Sequence, residues 1–505
     1  MSAEPEPQDA TPAVRETHIS IVFLVGDHAA KLKKPVRFPF VDLSTREARE
    51  RICHREVELN RRIAPDVYLG VFDVMGPDGT PRDHLVVMRR MPDDRRLARM
   101  VETARVPADA MRDLAHVIAA FHGRAETSDV ISAAGRDTAV LRRWRDGFRE
   151  IAPLLRSERE RTVEAEIEAR AERYVHGRAA IFDARIAQGR IRDGHGDLLA
   201  DDVFLIDDGP RVLDCLEFDD GLRHGDVLAD VAFLAMDLER LGADDLARQL
   251  LEHHRELIDD TYPGTLLHHY VAMRAHIRAK VAALRAAPGD VDASDRTRRL
   301  LDLTLDHLRQ TRVALVVVGG EPGTGKSTLA AGVADSLGWA VLRSDEIRKE
   351  LAGVEPLDHS HTELDAGLYG ETATIATYEA LLHRARLLLE LGESVVLDAS
   401  WGDADFRSAA RRVADATAAD LVELRCVVDP DTAARRIADR QHRGDDVSDA
   451  SPEVSRMLRT RFAPWPSAAA IDTAGPARHS LDRALETVRT GDLIPRTGSA
   501  GDAGT

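Results

Sequence analysis

Cysteine and aromatic residues are scarce in this 505-residue chain, and its positive charges are outnumbered by negative ones. Its three cysteines, Cys53, Cys215 and Cys426, are odd in number and more than 150 residues apart, a spacing that supports neither a disulfide framework nor a zinc knuckle. They read as buried thiols of a cytoplasmic protein. Aromatic residues make up 4% of the chain, and none of its basic runs is interleaved with them in the stripe that stacks single-stranded nucleic acid. With 69 Lys and Arg against 87 Asp and Glu, the formal net charge is -18, which repels nucleic acid and anionic membranes and argues against a general binder of either. No apolar stretch reaches membrane-spanning length. The opening MSAEPEPQDATPA is acidic and proline-bearing, the wrong chemistry for a signal peptide, and reads as a disordered leader over 1–15.

What the chain does have is length and apolar content, 44% hydrophobic residues, enough for two to four domains. Residues 19–36 predict two short strands around Gly26-Asp27. The stretch 44–63, STREARERICHREVELNRRI, begins with capping residues, carries apolar side chains at near-helical spacing and predicts a helix. A strand is expected over 84–91, with helices from about 109 and through 140–185. VFLI and RVLDCLEF, turned by Asp208-Gly209, predict a β-hairpin that places Asp214 in its second strand. Helices follow to about 310, with AAPGDVDASD, 286–295, as a loop between the last two. From 313 onward, β and α patterns alternate, which predicts a parallel sheet with crossover helices. The tail 491–505 reads as disordered.

The sharpest motif is GGEPGTGKST, residues 319–328, lying between the apolar run VALVVV and the helical pattern LAAGVADSLG. It fits G-x-x-x-x-G-K-[ST] at Gly320, Gly325, Lys326 and Ser327, with Gly323 and Thr328 in the same loop. Glycines let consecutive backbone amides converge on a phosphate, Lys326 reaches the β and γ oxygens, and the Ser327 hydroxyl is a Mg²⁺ ligand. The positive end of the following helix adds to the attraction. Downstream, Asp398 ends the strand pattern SVVLDAS, where a carboxylate organises Mg²⁺ or its waters.

A second group of residues occupies the first 300 positions. His195-Gly196-Asp197 forms a loop motif, Asp214 follows it after a hairpin, Ala30-Lys31 ends a short strand, and Glu56 lies on the next helix. This order resembles the aminoglycoside phosphotransferase and protein-kinase-like fold. The resemblance implies that Asp197 is the catalytic base, that His195 orients its loop, that Asp214 is a metal ligand, and that Lys31 and Glu56 form the phosphate-binding ion pair. Lys33, Lys34 and Glu58 compete for those last two places. Where the family pattern has Asn as its second metal ligand this chain has Asp202, Leu199 follows HGD-Leu, and the first hairpin offers only Gly26 in place of a glycine-rich lid.

The second half, with WAVLRSDEIRKEL, resembles the small P-loop kinases related to gluconate kinase, polynucleotide 5′-kinase and zeta toxin. The resemblance implies that Asp345 meets the acceptor hydroxyl, that Arg348 holds an anionic substrate group, and that Arg436 and Arg440, on DTAARRIADRQHRGDDVSDAS, belong to a lid over the γ-phosphate. Taken whole, the chain is similar to bacterial two-part proteins that join an aminoglycoside-phosphotransferase-like domain, here 16–308, to a P-loop ATP-binding domain, here 309–490. The expected fold class is α/β, a kinase-like unit followed by a P-loop NTPase parallel sheet. The expected function is ATP- and Mg²⁺-dependent phosphate transfer to a small hydroxylated molecule such as a sugar, amino sugar or aminoglycoside. Two alternatives stand beside it, a regulatory ATP-binding protein with a degenerate N-terminal site and a polynucleotide kinase or toxin-like activity of the C-terminal part. No motif encodes the acceptor or the oligomeric state.

Overall fold

The computed structural model describes residues 12–17, 19–38, 41–286, 290–353, 370–443 and 462–491, without the side chains of residues 38 and 440–443. The expected leader up to residue 11, the tail from 492, the Arg440 side chain and the expected lid from residue 444 therefore lie outside the described residues. The chain divides into two compact units. The first comprises residues 1–165, 182–262 and 267–307, and the second 166–181, 263–266 and 308–505. Residues 166–181 and 263–266 thus pack with the C-terminal unit although they precede residue 308 in the chain.

The first unit opens with a five-stranded antiparallel sheet in the order Ala13–Glu16, Ser20–Val25, His28–Lys33, Pro81–Arg89, Tyr68–Met75. Residues 13–15, read from sequence as leader, begin its first strand. The hairpin closes between Val25 and His28, and Gly26 supplies the positive φ, 55°, that its two-residue turn requires. The helix Arg46–Asn60 is capped by the Thr45 side chain and lays Cys53 and Val57 against Ala29, Val86 and Met88 of the sheet. Glu56 is buried on that same face, which is what brings it to the lysine strand. The strand Tyr68–Met75 was not read from the sequence. Its burial is partial and its residues past Phe72 face outward, so it carries no clear alternation.

The rest of this unit is mostly helical, with two-stranded pairs at Val203–Ile206 with Gly209–Val212 and at Ile191–Asp193 with His224–Asp226, and with the helix Val227–Arg240 buried within it. Every residue from Val227 to Leu238 is buried, the pattern of a helix surrounded on all sides. Asp226 caps it by accepting from the Leu228 amide at 2.9 Å. The same Asp226 is gripped by Arg185, which reaches its two carboxylate oxygens at 2.7 Å each and pairs with Asp260 at 2.5 and 2.8 Å. All three side chains are buried. Two sequence expectations change here. The strand expected over RVLDCLEF stops at Val212, and Asp214 sits beyond it in a loop with φ 63°. The expected loop 286–295 is shorter, because a helix already begins at Val291.

In the second unit five parallel strands run in the order Ala340–Arg343, Val395–Asp398, Ala314–Gly319, Asp420–Val427, Ala469–Asp472. Leu315 and Val317 face one core with helices Glu371–Glu390 and Ala404–Ala416, while Val316 and Val318 face the other with Lys326–Leu337 and Ala477–Thr490. A strand buried on both faces reads as a continuous apolar run, as VALVVV does. The chain leaves the central strand first toward Ala340–Arg343 and later toward Asp420–Val427, so its carboxyl end is a switch point where a crevice opens. Asp420, buried at the start of its strand, receives Arg173 and Arg312 at 2.6 Å each. All three cysteines are buried, and burial pushes each thiol up to about 12.

Replacing Arg185 with Leu leaves the buried Asp226 without a cation and Asp260 with Arg190 alone, 3.5 Å away. The expected result is a loss of about 3–5 kcal/mol in the stability of the N-terminal unit, read as a lower urea midpoint for its transition; a loss below about 1 kcal/mol would show that the clasp is not a principal support.

Candidate active sites

Lys31 lies on the third strand of the N-terminal sheet, and its Nζ reaches Glu56 Oε1 at 2.9 Å and Asp214 Oδ1 at 2.6 Å. Lys33 shares Glu56 from the other side, at 2.6 Å to Oε2, and pairs with Glu217 at 2.5 Å. The two lysines sit one pleat apart on the same face, so a single buried glutamate bridges both. Burial alone would lower the Lys31 ammonium, but Asp214, Glu56 and Glu217 together carry it well above its usual value. Burial works against the Asp214 carboxylate too, and Lys31 nevertheless holds it down at about 2. The competing candidates go elsewhere: Lys34 pairs with Glu16 and Glu58 with Arg55.

The loop that carries Asp197 is fixed from below by Asp230. Its carboxylate accepts from the His195 amide at 2.7 Å and the Gly196 amide at 2.9 Å, and it also bonds His122 Nε2 at 3.0 Å. His195 is 1% exposed, and its Nε2 bonds the Leu213 carbonyl at 3.0 Å. Burial lowers its basicity, so the ring is a neutral donor that ties the Asp197 loop to the Asp214 loop. The Asp214 backbone is held in its positive-φ conformation by two residues that sequence reading missed. Tyr68 accepts from the Asp214 amide at 3.1 Å, and Asn60 accepts from the Cys215 amide at 2.8 Å. Asn60 sits at the end of the helix that carries Glu56, in LNRRI, where no motif marks it.

Asp197 is half-exposed, and loss of solvation raises its carboxyl. Asp202 is raised well above the carboxylate range, first by burial and then by repulsion from Asp214 and Asp197. The structure therefore gathers Asp197, Asp202 and Asp214 within electrostatic reach of one another, and Leu199 is buried.

In the second unit the loop after Ala314–Gly319 leads into the helix at Lys326 through Gly325, whose φ is 85°. A side chain at Gly323 would place Cβ 2.5 Å from the Ala433 carbonyl, and one at Gly319 would meet Trp465 at the same distance. Gly319, which precedes the motif, is thus as constrained as the motif glycines, by a tryptophan too distant in sequence to suggest it. The Gly320 amide is tied to the Ser400 carbonyl at 3.0 Å, and Thr473 Oγ1 donates to the Thr324 carbonyl at 2.6 Å. Lys326 Nζ donates to the Glu321 carbonyl at 3.2 Å across the loop. Asp398 is buried at the end of its strand, raised by desolvation, and accepts the Ser327 hydroxyl near the Lys326 ammonium. Ser327 and Thr328 are exposed at the helix start.

Asp345 falls in the first turn of Ser344–Leu351, immediately past its strand, and is close enough to Asp398 to raise it. Arg348 bonds Asp345 at 3.1 Å, so the arginine read as an anion holder is engaged with the carboxylate instead. Arg436 donates to the Thr473 carbonyl at 2.7 Å, and its guanidinium lies against Gly325.

Among the described residues no group of three or more His, Cys, Asp or Glu side chains forms a metal cage. Mg²⁺ is usually held by one or two carboxylates together with substrate phosphates. Asp202 and Asp214 in the first unit, and Asp398 with Ser327 in the second, form donor sets of that smaller kind. The mutual repulsion at Asp202 is the condition a divalent cation relieves, and both sets fit the ion. Among the described residues no helix is long and apolar enough to cross a membrane.

Residues 315–465 match the family described as an AAA domain. An uncharacterized protein of Mycobacterium tuberculosis (strain ATCC 25618 / H37Rv) is 43% identical over 482 residues, covering 94% of this chain and 95% of that protein. Solved structures similar to parts of the chain include a choline/ethanolamine kinase family protein from Mesorhizobium loti, 12% identical, covering 61% of this chain and 96% of that one with a TM-score of 0.39. A gluconokinase from Sinorhizobium meliloti 1021 is 17% identical and covers 36% of this chain and 93% of its own, with a TM-score of 0.26. The chain belongs to one family with the mycobacterial protein, and its residues 315–465 carry the AAA domain.

Proposed function

We propose that the protein is an ATP-dependent phosphotransferase that moves the γ-phosphate to a hydroxyl of a small molecule, and that each unit carries a nucleotide site. The observation that supports this most directly is the Lys31 ammonium held between Glu56 and Asp214, 2.9 and 2.6 Å away, beside a loop that presents Asp197. In this reading Lys31 contacts nucleotide phosphates and Glu56 keeps it in place. Asp197 accepts the proton of the acceptor hydroxyl as its oxygen attacks the γ-phosphorus. The bond from that phosphorus to the β,γ-bridging oxygen breaks, and ADP leaves with the electron pair. Asp202 and Asp214 would hold Mg²⁺, which when bound neutralises phosphate charge. His195 acts by position, through the Leu213 carbonyl.

In the C-terminal unit the amides of 320–328 and Lys326 cradle the phosphates, Ser327 and Asp398 would hold the ion, and Asp345 is the proton acceptor. Arg436, braced against Thr473 beside Gly325, is placed to oppose charge on the transferring group; Arg440 belongs to the same helix. The two units in this reading are 16–308 and 309–490. One feature favours a regulatory role for the first, namely Asp202, whose added negative charge opposes bound nucleotide when metal is absent.

Lys326→Ala is expected to abolish nucleotide binding by the C-terminal unit, so that calorimetry finds one site where the wild type has two; two undiminished sites would refute the loop assignment. Loss of a general base typically costs about 10²–10⁴-fold in rate. Transfer of labelled γ-phosphate in Asp197→Asn and Asp345→Asn therefore assigns the reacting unit by which variant drops. If the wild type binds ATP tightly yet neither substitution alters turnover, neither aspartate is the base.

A further inference from the structure

We propose that the acceptor side of the N-terminal site is an anion subsite, in which Arg274, Arg278 and Arg285 hold a carboxylate or phosphate borne by the hydroxylated substrate. The inference rests on the reading of Asp197 as the group that meets the acceptor hydroxyl, and it narrows the acceptor to one charge class.

The three arginines lie on the helix Gly264–Arg285 at positions i, i+4 and i+11, a spacing that puts them on one face. Arg278 Nη1 is 3.7 Å from Asp197 Oδ1, so this face looks onto the proposed base. Arg274 is 9% exposed and is fixed at both ends of its guanidinium plane: Nε donates to the Ala229 carbonyl at 2.9 Å, and the group stacks over Phe233 at 4.8 Å. Its two Nη atoms have no hydrogen-bond partner among the described residues. Arg285 is exposed at the helix end, within reach of Arg278, Asp197 and Arg296. From the facing helix Asp137–Ile151, Arg143 donates to the Gly221 and His224 carbonyls, and its guanidinium is held down at about 10 by burial and by Arg274.

The opposing acids are few and already engaged. Asp230 is spent on the His195 and Gly196 amides and His122, and Asp219 caps the turn at Gly221. Asp197 pairs with Arg278 at 3.7 Å, a distance longer than a hydrogen bond. A surplus of partly buried guanidinium groups is stabilised when an anion enters among them, and the planar fork of arginine matches carboxylate and phosphate oxygens. A cationic acceptor such as an amino sugar meets like charge there, which costs affinity. The amino-sugar and aminoglycoside acceptors expected from sequence are therefore the ones this surface disfavours.

Four ligands on one ring skeleton separate the possibilities: glucose, glucosamine, glucuronate and glucose 6-phosphate. Their binding to the full chain is measured calorimetrically with ADP and Mg²⁺ present, and the last two distinguish a carboxylate from a phosphate. Glucuronate or glucose 6-phosphate is expected to bind about tenfold or more tightly than glucose, with glucosamine the weakest, and the preference should fall as salt rises. In Arg278→Gln and in Arg285→Gln the anion preference should shrink about tenfold, while ADP affinity and the thermal midpoint are read in parallel as controls for fold. Equal or tighter binding of glucosamine, absence of any anion preference across the four, or an unchanged preference in both variants would overturn the proposal. Failure of the kinase reading itself shows differently, as absence of ADP binding at the Lys31 site.

Discussion

Asp197, Asp202 and Asp214 share one cleft, and partly desolvated carboxylates repel one another strongly unless cations are interposed. The architecture of the N-terminal unit follows from how that repulsion is offset. Two lysines on alternate positions of one strand enter the cleft from the sheet, and Glu56 on the adjoining helix keeps both in place. Asp214 is stabilised as an anion by Lys31, whereas Asp202 lacks such a partner and is driven toward its protonated form. In the proposed function Asp214 would already be charged when a cation enters, and Asp202 would lose its proton as the cation binds. Asp230 performs the remaining task by accepting from the two backbone amides of the loop that displays Asp197, so that the Asp197 oxygens are not needed to hold that loop.

In the proposed function the two units would bind phosphate by different means. In the C-terminal unit the backbone would do the recognition, and the constraints fall on glycines whose neighbours leave no room for a Cβ, the Ala433 carbonyl at Gly323 and the Trp465 ring at Gly319. In the N-terminal unit a side-chain ion pair would do it, and the constraints fall on Glu56, which holds Lys31, and on Asn60 and Tyr68, which hold the backbone at Asp214 and Cys215. A substitution tolerated by one logic is not tolerated by the other, and this gives the two halves of the chain separate sensitivities.

The same difference decides what was legible in the sequence. The P-loop, its strand and its helix are contiguous, and each rests on local backbone geometry, so GGEPGTGKST with VALVVV before it specifies them. Lys31, Glu56, Asp197 and Asp214 are scattered over more than 180 residues, and only their order marked them; the structure brings Lys31, Glu56 and Asp214 into contact and turns the Asp197 loop toward them. Asn60, Tyr68 and Asp420 could not be read, because each acts through partners far along the chain and occupies an ordinary helical or strand position. Asp214 falls in the strand expected over RVLDCLEF, but the φ of 63° that its loop adopts leaves no periodic trace. The turn that would have announced such a conformation is usually glycine, and here hydrogen bonds to Tyr68 and Asn60 stabilise it instead.

Asp202 stands where the related pattern has a neutral amide, and the additional charge must be weighed against the whole cleft. On the nucleotide side it adds to Asp214 and raises the demand for a cation. On the other side Arg274 and Arg278 supply positive charge that attracts the Asp197 carboxylate, and both lie within its electrostatic environment. The cleft is therefore polarised, acidic where a metal-bound nucleotide would enter and basic where an acceptor would lie. An extra carboxylate on the first side and an arginine stripe on the second are mutually compensating: the field between them runs through Asp197 and favours a substrate that brings its own negative charge to the basic side. By this reasoning the substitution at 202 does not by itself make the site inert. It shifts the charge that the site must receive from its ligands, away from a cationic acceptor and toward an anionic one.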